Sequence, residues 1–134
     1  MALKGYVIHL EQKTEKNTDF RRVLYTGKHS QLVLMNLQPG EEIGMEVHSH
    51  LDQFFRFEFG EGKVFIDGIP HKVRDGYGVI VPAGAKHNVV NTSEHKELKF
   101  YTIYSPPEHI DKTVRRTKKD AESMPEEYDG KPTE

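Results

Sequence analysis

Apolar and polar positions alternate in short bursts along this chain, with turn residues between most of the bursts. Ser30–Leu37 (SQLVLMNL) sets Leu32, Leu34 and Asn36 on one face and Val33, Met35 and Leu37 on the other. Side chains of a strand alternate between faces, so this two-sided apolar run predicts a strand covered on both sides. Pro39-Gly40 stops the run after one strand length, which argues against a helix. Gly44–His50 alternates next, Met45 and Val47 opposing Glu46, His48 and His50. In Gln53–Phe59, Gln53, Phe55, Phe57 and Phe59 face one way and Phe54, Arg56 and Glu58 the other. Gly60-Glu61-Gly62 turns into Lys63–Asp67, and Asp67-Gly68 is a strong hairpin signal. His71–Arg74, Val79–Val81, Asn88–Val90 and Leu98–Tyr104 complete the set. Strands roughly eight to twelve residues apart, with turns between them, predict an all-β sandwich or barrel.

The flanks read differently. Tyr6-Val7-Ile8 predicts a short strand, and the polar run Glu11–Asp19 a loop or linker. Phe20, Val23, Leu24 and Tyr25 then form an apolar edge ending at Gly27. Such an arm could close one sheet or reach across to a second subunit; with the strand Ser30–Leu37 it makes a homodimer the expected assembly. After Pro106-Pro107 the chain becomes mostly charged. Thr117-x-x-Asp120 is a capping box for a short helix over 118–123, and the tail beyond Pro125 is expected to fray. The expected organisation is a barrel with an N-terminal arm over 1–110 and a charged tail with a short helix over 111–134.

Composition narrows the chemistry. The 134 residues suffice for one domain with its own core. A net charge of −2 gives no basic excess for nucleic acid or an anionic membrane. Without cysteine there is no disulfide, thiolate ligand or thiol nucleophile. MALKGYVIHLEQKTEKN lacks the apolar core of a signal peptide and no run reaches membrane-spanning length, so a cytoplasmic location is expected. Neither a Gly-x-Ser-x-Gly elbow nor a phosphate-cradling Gly-Lys-Ser/Thr loop occurs. What stands out is histidine, eight in all. His48 and His50, two residues apart on a strand, share a face; His87 follows a Pro-x-Gly turn. Three imidazoles on two strands framed by glycine turns look like a metal site inside a small barrel.

The run Gly76-x5-Pro82-x-Gly84-x2-His87-x3-Asn91 resembles the second motif of the cupin superfamily at every position. The first cupin motif is a glycine, five residues, His-x-His, three or four residues, an acidic residue, six more and a glycine. Here His48-x-His50 is present, and Gln53-x6-Gly60 fits the second half with glutamine for glutamate. Two features depart from it: the residue six before His48 is Glu42, and only two residues separate His50 from Gln53. KFYTIYSPPEH looks like the trailing segment of small bacterial single-domain cupins.

The resemblance, over roughly residues 39–104, implies a double-stranded β-helix, or jelly-roll barrel, with a short C-terminal helix. It also implies one divalent transition metal (zinc, iron, nickel or manganese) held by His48, His50, Gln53 and His87. His87 and His48 rank first among these, then Gln53, then His50, which could instead face the cavity as a base or substrate contact. A glutamine carbonyl adds no charge, so such a site keeps the full +2 of the ion and binds it more weakly. Glu46 shares the face of His48 and is a further candidate carboxylate. Phe55, Phe57 and Phe59 read as core, Tyr101 and Tyr104 as edges of the cavity, and His9, His29, His71, His95 and His109 receive no role. Two functions follow: a metal-dependent enzyme of dioxygenase or isomerase type acting on a small polar molecule, or a non-catalytic module that binds or senses one.

Overall fold

A computed structural model describes residues 2–134. Ten strands lie between two short helices: α1 (Leu10–Lys16), β1 (Arg21–Thr26), β2 (Gln31–Leu37), β3 (Glu46–Val47), β4 (Asp52–Phe59), β5 (Glu61–Ile66), β6 (Ile69–Arg74), β7 (Gly78–Val81), β8 (Lys86–Asn91), β9 (Leu98–Ser105), β10 (Val114–Arg115) and α2 (Lys118–Ser123). A six-stranded sheet runs β10-β1-β2-β9-β4-β7 and a four-stranded sheet β3-β8-β5-β6, every pairing being antiparallel. This is the all-β double-stranded β-helix with a short C-terminal helix that the cupin resemblance implies. Among the described residues no helix is long and apolar enough to cross a membrane.

Core residues come from the inward positions of both sheets. Phe55 and Phe57 of β4 and Phe100 of β9 are fully buried, packing at ring-centroid distances of 5.0–6.3 Å over Val64 and Val89 of the other sheet. Local turn chemistry fixes the strand order. Asp67 and Gly68 both take positive φ (47° and 81°), the backbone that a two-residue hairpin between β5 and β6 requires. Gly60 (φ 95°) lies so close to the Glu97 carbonyl that any Cβ would collide with it.

Four expectations are revised. The polar run Glu11–Asp19 contains α1, not only loop. Seven residues cannot hold a helix alone. This one lies against β9 and β4, its buried residue being Thr14, so no apolar stripe announced it. Tyr6–Ile8 is not a strand. The arm thus packs on its own sheet, on the side where Asn36 donates to the Asn17 carbonyl (2.9 Å), and β2 is interior, flanked by β1 and β9. Phe59 is exposed: between Phe57 and Phe59 the register with β9 slips, Glu58 being the extra residue of a bulge that ends the alternation. Finally, the tail beyond Pro125 is tied down. Tyr128 N–H donates to the Glu108 carbonyl (3.0 Å) and Thr133 N–H to that of Thr26 (2.8 Å); ahead of this tail, β10 extends the six-stranded sheet beside β1.

The aromatic cluster makes a direct test. Phe100→Ala removes the ring shared by Phe55 and Phe57, and should lower the free energy of unfolding by about 3–5 kcal/mol in a denaturant titration.

Candidate metal centre

At one end of the barrel the inward face turns polar. β3 pairs with β8 so that Glu46 stands directly opposite His87, which places both side chains on one face. His48 follows two residues later, just past the end of the strand. Its carbonyl accepts from Gly84 N–H (2.8 Å), at the tight corner where Ala85 N–H closes back on the Pro82 carbonyl (3.2 Å). The Pro82-x-Gly84 corner therefore fixes His48 and delivers His87 at once. From the other sheet, Gln53 of β4 faces the same space, which is bordered by His48, Leu51, Gln53, Val81, Pro82, Ala85 and His87. Asn91, the last residue of the motif, ties β8 to the chain after β2 and to the β8–β9 loop, donating to the carbonyls of Leu37, Gln38 and Lys96 (2.8–3.1 Å).

One ligating atom from each of Glu46, His48 and His87 lies within 4.8 Å of the others. His48 bridges two carboxylates: Nε2 is 3.0 Å from Glu46 Oε2, and Nδ1 is 2.8 Å from Glu108 Oε2. His87 Nδ1 is 3.2 Å from the Ala85 carbonyl, which can only accept, so Nδ1 carries the proton and Nε2 keeps its lone pair. Gln53 donates through Nε2 to Thr102 Oγ1 (3.0 Å), while its buried Oε1 has no partner. An orphaned carbonyl oxygen, a carboxylate and two imidazoles make a donor set that fits a divalent first-row ion.

Electrostatics follow from these contacts. Burial works against a charge on His48, but the hydrogen bonds its ring donates to Glu108 and Glu46 outweigh it and raise its pKa to about 9. Glu46 and Glu108 are also opposed by burial, yet His48 holds both below the usual carboxylate value. His87 is pushed down by burial. Beyond His48 lies a second buried chain. Tyr104, its pKa raised by burial, sits 3.3 Å from His109 Nε2, and His109 Nδ1 is 2.8 Å from Glu126 Oε1. Glu126 also pairs with Arg115 (3.3 Å) and Arg21 (3.9 Å).

Of the residues that the resemblance implied, His48, Gln53 and His87 border one space. His50 lies in a bend after β3, exposed and outside the group, because the strand ends at Val47 and the alternation ends with it. Glu46 stands in the group instead. Moved two residues towards the N-terminus, the first motif fits at every spacing: Gly40-x5-Glu46-x-His48-x4-Gln53-x6-Gly60. Both framing glycines take positive φ (75° and 95°), as turn glycines do. Glutamate thus occupies the first histidine position and glutamine the acidic one. The carboxylate is retained, so a divalent ion here would leave +1, not +2. Glu108 had no sequence signal, since its partner His48 lies far along the chain, and His109 and Glu126 lie in a mostly charged segment with no pattern to single them out.

Stability of the metal-free protein should register this network. His48 has a raised pKa, so its contribution is complete below the ordinary histidine value and is lost as pH rises through about 9. Glu46 and Glu108 are lowered, so theirs is lost on the acid side. Melting temperatures of metal-free protein should therefore fall by several degrees between about pH 7 and about pH 10, and His48→Asn should flatten that limb.

Comparison with known proteins agrees with the architecture. The family described as Cupin domain matches residues 33–104. The uncharacterized protein YrkC of Bacillus subtilis is 44% identical over 124 residues, which cover 88% of this chain and 66% of YrkC. An uncharacterized protein of Acanthamoeba polyphaga mimivirus is 41% identical over 108 residues, covering 78% of this chain and 67% of its own. The chain thus spans about two thirds of the length of these relatives. The crystal structure of BH2720 from Bacillus halodurans superposes with a TM-score of 0.88 at 43% identity, over 90% of this chain and 96% of that one. With over half its length matched to the family, and the fold and the second motif in place, the chain belongs to the cupin domain family.

Proposed function

We propose that this cupin holds one divalent transition-metal ion through Glu46, His48, His87 and Gln53, and that it acts on a small polar molecule there. The observation that carries this is the convergence of Glu46, His48 and His87 within 4.8 Å. Two histidines and one carboxylate are the donor set of non-haem iron oxygenases, which favours iron over zinc, nickel or manganese and an oxygen-dependent reaction over an isomerisation. Bound there, the ion would supply a Lewis acid or an oxygen-activating centre.

The chain's own residues prepare the site. Ala85 fixes the tautomer of His87. Leu51, Val81 and Ala85 wall the space with apolar surface that keeps bulk water out. Tyr104 stays protonated, its hydroxyl donating to His109, whose tautomer Glu126 sets.

The tightness of the site favours a second reading. The space among the bordering residues is too small for a water molecule, so a substrate reaches it only after some of those residues move apart. A module that binds a small ligand without turnover fits that closure.

Metal analysis of untagged protein separates the possibilities. One first-row ion per chain is expected, lost in both His87→Ala and Glu46→Ala. Failure of the wild type to take up iron, zinc, nickel or manganese would sink the metal reading. No metal together with a tightly retained small molecule would favour the binding module.

A further inference from the structure

Glu108 lies beyond residues 33–104, which match the cupin family, yet its carboxylate reaches back 2.8 Å to His48 Nδ1. An ion pair on an open surface would mean little. This one is mostly covered, with side-chain exposures of 15% for His48 and 22% for Glu108. Its backbone is also held in place. Gln31, buried in β2, accepts through Oε1 from the N–H of Glu108 (3.2 Å) and of His109 (2.9 Å). Its Nε2 donates to the His109 carbonyl (2.6 Å) and to Thr26 Oγ1 (2.9 Å). On the other side the Glu108 carbonyl accepts from Tyr128 N–H (3.0 Å). A buried glutamine that makes three hydrogen bonds to one turn and one to β1 anchors that turn to the sheet, and the turn aims its carboxylate at one imidazole nitrogen.

We propose that Glu108, presented by Gln31, is a positioning residue for the metal centre. It accepts the Nδ1–H of His48, fixes the ring so that Nε2 serves as ligand, and strengthens the imidazole as a donor. Glu46, on the opposite nitrogen, belongs to the ligand group itself. The segment after Tyr104 is then a working part of the metal site and not a trailing appendage. This inference rests on the metal reading above.

The test uses the full chain, stripped of metal and titrated with zinc against a chromophoric chelator. Glu108→Ala should weaken zinc binding by about 10–100-fold, with Glu108→Gln in between because the amide oxygen still accepts the hydrogen bond. Cobalt(II) substituted into Glu108→Ala should give a shifted d–d absorption spectrum, a change that mere loosening of the fold would not produce. Thr117→Ala, which removes the cap of α2 without touching the site, should lower the melting temperature and leave zinc affinity unchanged. Zinc bound equally well by wild type and a folded Glu108→Ala would overturn this inference alone, as would equal losses in Glu108→Ala and Thr117→Ala. No uptake of zinc, iron, nickel or manganese by the wild type would overturn the metal reading, and this inference with it.

Discussion

Everything at the polar end of the barrel depends on the register between Glu46 and His87. Opposite residues of an antiparallel pair share a face, and a slip of one residue would send the carboxylate to solvent while the imidazole stayed inside. β3 itself has only two residues. Its register is guarded by contacts before and after it. Asn91 N–H donates to the Glu41 carbonyl (2.9 Å) and Ile43 N–H to that of Val89 (3.0 Å). Gly44 N–H donates to Asn88 Oδ1 (2.9 Å), and Gly84 N–H to the His48 carbonyl (2.8 Å). The segment thus tracks β8 well beyond its formal strand.

Along its length the barrel changes from apolar to polar. Phe57 and Phe100 fill the middle, Phe55 stands 6.3 Å from the His87 ring, and Thr102 and Gln53 begin the polar part. Buried polar groups are costly unless paired, so the orphaned amide oxygen of Gln53 carries more information than another buried phenylalanine. The apolar floor and the fixed tautomers belong to one design: the floor lowers the local dielectric, and the tautomers decide which lone pairs remain.

Features with a local cause were legible in the sequence. The Asp67-Gly68 hairpin, the corner before His87 and the Thr117 cap, whose hydroxyl accepts from Asp120 N–H (3.0 Å), each lie within a few residues. The choice between Glu46 and His50 was not readable from alternation, because the letters keep alternating after the backbone has left the strand. The glycine-to-glycine frame was the better ruler, since φ above zero marks real turns. α1 hid because its buried residue is a threonine. The Tyr104–His109–Glu126 chain hid because a sequence does not say which charged residue of a tail will fold inward.

The borders of the two sheets have a consequence for self-association. Their outermost strands are β10, β7, β3 and β6. Two of these have only two residues and one has four, while the fourth carries Pro70, which has no N–H to offer. Each rim is thus a poor template for docking a foreign strand, the usual route to aggregation among open β-proteins. A second copy that docked by its backbone would have to use a rim of two to four residues or one interrupted by proline.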